Sequence, residues 1–169
     1  GFKFLGQGFV IGVIPTPILF MVALFVIGII ILHKTCFGRR IYAVGGNDEA
    51  ARLSGIKTNK IRIIVFVISA GAAGIAGVIM ASRLGTGQPS TGSDFAMDVL
   101  TATVLGGVML SGGKGKIVNV LIGAIIIGIL TNGLVLLDVL EYWQWIVKGF
   151  VFLFAVAMSN LELFINKDK

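Results

Sequence analysis

Few residues in this chain have side chains suited to catalysis or metal binding. The single cysteine, Cys36, has no second cysteine to pair with and no neighbouring metal ligand. The single histidine, His33, ends an apolar run, which is typical of a residue at a membrane interface. The sequence contains no His-Glu-x-x-His motif and no pair of carboxylates at a plausible site. We therefore predict no catalytic residue, no metal site and no cofactor.

The segment SGGKGK at 111–116 raises the possibility of a nucleotide-binding loop. A Walker A loop needs a glycine five positions before the glycine that precedes its lysine, and Ser or Thr directly after that lysine. No glycine lies five positions before Gly113, and Gly115 follows Lys114. A basic turn between two helices is the better interpretation, so ATP hydrolysis would have to be carried out by another chain.

The polar segment 38–62 carries the clearest local pattern. It contains an N-cap residue, two anions for the first helical turn, a cation near the end and a glycine stop, at Asn47, Asp48, Glu49, Arg52 and Gly55. These signals predict about two turns of helix over 48–54. A loop that only joins two spans does not need a capped helix, so we expect this one to present a surface. Its small apolar contact residues would be Ala50, Ala51 and Leu53.

The composition indicates the class of protein that positions these residues. The chain is 56% hydrophobic and only 13% charged, with a mean hydropathy of +0.99, whereas soluble domains are about 25% charged. These values exclude an ordinary soluble domain and predict an all-α, polytopic integral membrane protein. The net charge of +6 is explained by basic residues beside apolar spans, so we expect no nucleic-acid partner.

Apolar runs predict about five transmembrane helices, at 18–32, 63–82, 96–110, 117–137 and 143–160. The third covers only about 22 Å, so it either crosses obliquely or turns back. Crossing places most basic residues on the cytoplasmic side, as the positive-inside rule requires. These are eleven of the fourteen: Lys34, Arg39, Arg40, Arg52, Lys57, Lys60, Arg62, Lys114, Lys116, Lys167 and Lys169. We therefore expect the segment 96–110 to cross and the segments 38–62 and 111–116 to be cytoplasmic.

Polar residues inside the spans are the candidates for a translocation path, because each is costly in lipid unless it lines a path or packs between helices. The candidates are Thr101, Asn119, Thr131 and Asn132. Lys148 is expected to extend to the outer surface or to pair with Asp138 or Glu141. In the second span, the small residues Ala70, Gly74 and Gly77 predict a face that packs closely against another helix.

Three segments, in order, carry a family resemblance: GRRIYAVGGNDEAARLSGIKTNKI (38–61), RLGTGQPSTGSDFAMDVLTATVLGG (83–107) and SGGKGKIVNVLIGAIIIGILTNGL (111–134). They resemble bacterial ABC-transporter permeases of the branched-chain transport class, in particular those for ribose and related monosaccharides. The resemblance covers nearly the whole chain. It implies one transmembrane permease domain over 1–169, forming the C-terminal part of a longer permease, with a cytoplasmic coupling loop at 38–62.

In that family the loop helix is a coupling helix that docks on the ATPase subunit. By resemblance, this role falls on Asn47, Asp48, Glu49, Ala50, Ala51, Arg52, Leu53 and Gly55. The resemblance also implies a non-catalytic subunit of an importer in the bacterial cytoplasmic membrane. Its partners would be an ABC ATPase subunit, a periplasmic or lipid-anchored sugar-binding protein, a second permease copy and membrane lipid. The alternative is a secondary carrier or channel without ATP coupling, which would need intramembrane charges for ion coupling. The sequence shows no acidic residue that we place at mid-membrane depth.

Overall fold

The computed structural model describes residues 6–10, 14–87, 92 and 95–165. In these ranges the regular secondary structure is helical apart from two short antiparallel strands, β1 (Phe9–Val10) and β2 (Ile14–Pro15). The helices are α1 (Thr16–Ile29), α2 (Cys36–Gly46), α3 (Asp48–Leu53), α4 (Thr58–Leu84), α5 (Phe95–Leu105), α6 (Ile117–Leu136) and α7 (Glu141–Ile165). The prediction of an all-α polytopic membrane protein is confirmed.

Three helices of the described chain are long and apolar enough to cross a membrane. These are α1 together with its π-helical last turn, Ile30–Lys34, then α4 and α6. They correspond to the first, second and fourth predicted spans. Helix α7 has 25 residues, about 37 Å, so its length also suffices. Helix α5 has only 11 residues, about 16 Å, and is too short to cross the hydrocarbon core by itself.

The chain divides into two compact units, 1–91 and 92–169. In the first unit, the segment after α1 is more structured than the sequence predicted, because α2 precedes the expected short helix. The hydroxyl of Thr35 caps α2 by accepting from the amide of Gly38 at 3.2 Å and donates to the carbonyl of Ile31 at 2.6 Å. A Cβ at Gly38 would overlap the backbone of Leu32. Glycine therefore permits the sharp change of direction between α1 and α2.

Helix α4 exposes most of its apolar length within this unit. The space beside Gly74 and Gly77 is open: apart from chain neighbours and the helix's own backbone, no described atom lies within 4 Å of a Cβ built there. The predicted small-residue face at Ala70, Gly74 and Gly77 therefore has no partner in the part of the chain that the structure describes. Its packing against another helix of the permease stays a prediction.

In the second unit, α5 and α6 run antiparallel. A Cβ at Gly106, just after α5, would meet the backbone of Asn119 near the start of α6, and one at Gly123 would meet the backbone of Ala102. Helix α5 is one continuous helix that ends at Leu105, two residues before the left-handed Gly107 (φ +73°). It does not turn back within its length. Whether the segment 96–110 crosses the membrane stays a prediction.

Candidate coupling helix and intramembrane polar residues

The start of α3 is fixed by the predicted cap. Asn47 is extended (φ −156°, ψ 104°), and its side-chain oxygen accepts from the amide of Ala50 at 2.9 Å. This bond satisfies one of the amides that a helix leaves without a partner in its first turn. Asp48 and Glu49 follow in the first turn, where the helix dipole favours anions. The predicted N-cap is confirmed.

The end of α3 is equally defined. Gly55 is left-handed (φ +80°), its amide donates to the carbonyl of Arg52 at 2.9 Å, and the amide of Ile56 donates to the carbonyl of Ala51 at 3.0 Å. These two bonds form a Schellman motif, which provides hydrogen-bond donors to carbonyl groups in the last turn of a helix. The predicted stop at Gly55 is confirmed, and the helix covers six residues, Asp48–Leu53.

Ala51 does not lie on an exposed contact surface, and that expectation was wrong. Its residue surface is 4% exposed, and it forms a small core with Val44 of α2 and Ile61 of α4. Partly buried apolar residues surround this core at Phe37, Ile41 and Ile56. The cause is the additional helix α2, which gives α3 an inner face to pack against. We call residues 36–62, which pack in this way, the loop module.

An ion pair adds a second connection between α3 and α4. The guanidinium of Arg62 lies 3.1 Å from a carboxylate oxygen of Asp48. Because the side chains of Arg62 and Asp48 are 53% and 34% exposed, we expect this pair to contribute under about 1 kcal/mol. The apolar contact of Ala51 with Ile61 is therefore the firmer link.

The outward face of α3 carries the residues that remain available to a partner. Glu49, Ala50, Arg52 and Leu53 are exposed, and Leu53 is 86% exposed. A leucine held this far out on a well-capped helix leaves nearly its whole apolar side chain in solvent. Burying it against a partner would contribute about 1.5–3 kcal/mol. The eight predicted coupling residues therefore divide into four that build the helix and four that it presents.

An open groove lies beside this face. It has a volume of about 370 Å³ and is lined by Arg52 and residues 55–60. Three of its lining residues, Arg52, Lys57 and Lys60, are cations and exposed. A partner that covers both Leu53 and this groove would have to offer apolar contact together with acidic side chains.

The four residues proposed for a translocation path are not brought together. Thr101 is 1% exposed, and its hydroxyl donates to the carbonyl of Met97 at 2.7 Å within α5. Asn119 and Asn132 are exposed on α6, thirteen positions apart, which is about 20 Å along the helix. The hydroxyl oxygen of Thr131 is buried without a hydrogen-bond partner among the described residues. A path role for these residues stays a prediction.

The structure adds one polar pair that sequence reasoning missed. Lys148 of α7 pairs with Asp98 of α5, at 2.8 Å and 2.9 Å to the two carboxylate oxygens. The expected partners of Lys148, Asp138 and Glu141, were wrong because they were chosen for their closeness in sequence. The sequence did contain a signal for this pair: one acidic residue and one lysine are each isolated in an apolar segment. Asp98 lies in the apolar segment predicted as the third span, so the argument against an ion-coupled carrier that rested on the lack of such an acid no longer holds.

These features define a class: a polytopic helical membrane protein with a packed polar module between two spans. A family comparison then matches residues 2–156 to the permease component of the branched-chain amino acid transport system. The chain belongs to this family, so the predicted resemblance is confirmed, as is its localisation in a membrane.

The chain is similar to curated sugar permeases. It is 48% identical over 160 residues to the ribose import permease protein of Bacillus subtilis (strain 168), covering 95% of this chain and 49% of the relative. It is 49% identical over 159 residues to the ribose import permease protein of Escherichia coli (strain K12), covering 94% of this chain and 49% of the relative.

A further relative is the xylose transport system permease protein of Haemophilus influenzae, 46% identical over 147 residues, with 87% of this chain and 39% of the relative covered. The chain therefore spans about half or less of the length of these relatives. No solved structure matches it at a significant level.

Proposed function

We propose that this chain is part of the membrane-spanning subunit of an ATP-driven importer for ribose or a related monosaccharide. The single observation that carries ATP coupling is α3, a short helix fixed on its inner face and presenting Leu53 outward. The names of the relatives support the substrate class, since they are ribose and xylose permeases. ATP hydrolysis belongs to a separate chain that docks on α3.

The loop module gives a physical route for this coupling. Ala51 packs on Ile61 in the first turn of α4, and Asp48 pairs with Arg62 one residue later. Only residues 54–57 separate α3 from α4, so a displacement of α3 is passed to the start of a 27-residue helix. On the other side, Val44 of α2 joins the same core. A partner that moves α3 would therefore move the cytoplasmic ends of α1 and α4 together.

The remaining partners follow from the transport role. A periplasmic or lipid-anchored binding protein delivers the sugar, so the membrane path needs only weak selectivity of its own. A second permease copy, identical or related, completes the path, with the exposed small-residue face of α4 available for helix packing. The complex lies in the bacterial cytoplasmic membrane with the loop module inside.

A secondary carrier or channel is the second candidate, because Asp98 is an acidic residue in an apolar segment. However, its carboxylate is paired with Lys148 at 2.8 Å, so it is already neutralised by a fixed cation. A carboxylate that couples to a proton or sodium gradient has to exchange that partner during transport.

Reconstituted transport distinguishes the two candidates. The full-length permease, its ATPase and its binding protein are placed in liposomes, and uptake of radiolabelled ribose is measured with and without ATP. We expect uptake that requires both ATP and the ATPase chain. Uptake driven by a proton or sodium gradient in the absence of the ATPase would show that the chain is a secondary carrier.

A further inference from the structure

The ion pair between Asp98 and Lys148 is explained neither by the coupling helix nor by the small-residue packing of α5 on α6. It joins α5 to α7 across 50 residues of sequence. We propose that this pair, together with the hydroxyl of Thr131, lines a water-accessible part of the route by which the solute crosses the membrane. This inference rests on the transport function proposed above and adds the groups that meet the solute.

The pair lies at membrane depth. Close backbone contacts place Gly106 beside Asn119 and Ala102 beside Gly123, which sets the antiparallel register of α5 on α6. One turn earlier in α5, Asp98 is therefore level with Ile127. Ile127 is ten residues from the start of α6, about 15 Å along a helix of 20 residues that is long enough to span. The pair is thus level with the middle of a membrane-spanning helix.

Packing alone does not account for charges at this depth. A lysine or aspartate at the centre of a spanning helix costs about 2.5–3.5 kcal/mol on insertion scales. Apolar residues of similar volume in place of a buried ion pair often give equal or greater stability. The contact of Gly123 with the backbone of Ala102 already holds α5 closely against α6. The charges therefore indicate a role in which polarity itself is needed.

The pair is also incompletely enclosed. The side chains of Asp98 and Lys148 remain 21% and 11% exposed. Only the contact of Lys148 with Oδ2 of Asp98 has hydrogen-bond geometry. An ammonium has three donors and a carboxylate about four acceptor positions, so both groups have capacity for more partners. Oδ1 of Asp98 is buried and has no hydrogen bond among the described residues, so it needs a polar partner such as water or a solute hydroxyl rather than hydrocarbon.

Thr131 supplies the second, independent observation. Gly123, Ile127 and Thr131 follow at four-residue intervals on one face of α6, so Thr131 lies one turn beyond the level of the ion pair. Its buried hydroxyl has no partner among the described residues, whereas Thr101 donates to its own helix. An unsatisfied hydroxyl one helical turn from the level of two charges matches the hydrogen-bonding needs of a small polyhydroxylated solute such as a monosaccharide.

Cysteine accessibility tests the inference directly. Thr131→Cys, in a Cys36→Ser background of the full-length permease, keeps the ion pair and is nearly isosteric. The matched control is Ile127→Cys, one turn away and 4% exposed in the wild type. Both are treated in membranes with anionic sulfonatoethyl methanethiosulfonate. We expect labelling at position 131 at least tenfold faster than at 127, slowed at least threefold by saturating ribose in the assembled transporter.

Equal, slow labelling at both positions would overturn the inference, and labelling that ribose does not slow would remove its assignment to the solute route. The double variant Asp98→Leu/Lys148→Met gives a second measurement, because it removes both charges without leaving one unpaired. We expect it to retain the ATPase partner and to raise the KM for sugar uptake at least tenfold. A wild-type KM and rate would show that the pair is only structural. Absence of ATP-dependent uptake by the wild type would instead refute the proposed function.

Discussion

Gly123 is the position at which a single methyl group should have the largest effect on packing between α5 and α6. A Cβ there would lie 3.1 Å from both the carbonyl carbon of Ala102 and the amide nitrogen of Gly106, and closer still to the Ala102 oxygen. Ordinary contacts between carbon atoms are about 3.5–4 Å. The Gly123→Ala variant therefore forces the two backbones apart by roughly 1 Å, and overpacking of this kind costs about 1–3 kcal/mol.

Gly128→Ala is the matched control, because it lies on the same helix and, outside that helix's own backbone, no described atom lies within 4 Å of its Cβ position. Both substitutions gain about the same helix propensity, so the difference between them isolates the overlap. We expect the full-length Gly123→Ala permease in detergent to unfold at a lower temperature than Gly128→Ala, corresponding to a loss of about 1–3 kcal/mol in the free energy of unfolding. Equal midpoints for the two variants would refute the close approach.

Three further predictions concern backbone conformation and assembly. Gly55→Ala should destabilise the permease by about 1 kcal/mol, because Gly55 is left-handed (φ +80°) with open space around it; an unchanged thermal midpoint would contradict this. Asp138→Gly should raise the free energy of unfolding by up to about 1 kcal/mol, since Asp138 is left-handed (φ 54°), and a lower thermal midpoint would count against it. Gly74→Leu should reduce the yield of assembled transporter more than Gly71→Leu, which lies about a quarter turn from the centre of the small-residue face of α4; equal yields would exclude that face.

The ends of α3 were predictable from local sequence signals, but the core of the loop module was not. Asn47 and Gly55 act on their own helix ends, so residue type and position suffice to predict them. Burial of Ala51 depends on α2. The helical pattern of α2 is hard to recognise in the sequence because glycines and arginines interrupt it. The apolar residues Phe37 and Ile41, with Val44, recur at the spacing of one helix face. That periodicity was the signal that would have revealed both α2 and the inward position of Ala51.

The intramembrane pair depended on tertiary packing. Asp98 and Lys148 are 50 residues apart, and each sits in a segment whose composition predicts only an apolar helix. They meet because α5 and α7 pack side by side, with α5 held against α6 at Gly106 and Gly123. Residue spacing carries no information on such a contact, so the partner of Lys148 was sought near it in sequence.

The central claim is that the outward face of α3 docks on an ATPase chain. Ala50→Glu and Leu53→Glu place a carboxylate on that face. The control, Ala43→Glu, replaces an exposed alanine of α2 with the same residue. Loss of the apolar contact of Leu53, about 1.5–3 kcal/mol, corresponds to about 10–100-fold weaker binding. Ala51→Glu is unsuitable here, since it would disrupt the core with Val44 and Ile61.

The deciding measurement is co-purification of the ATPase with the full-length permease, together with transport-stimulated ATP hydrolysis. We predict that Ala50→Glu and Leu53→Glu insert normally but lose at least nine-tenths of the bound ATPase and of the stimulated hydrolysis, while Ala43→Glu retains both. Wild-type ATPase binding and hydrolysis in the Ala50→Glu and Leu53→Glu permeases would contradict the assignment of α3 as the coupling helix.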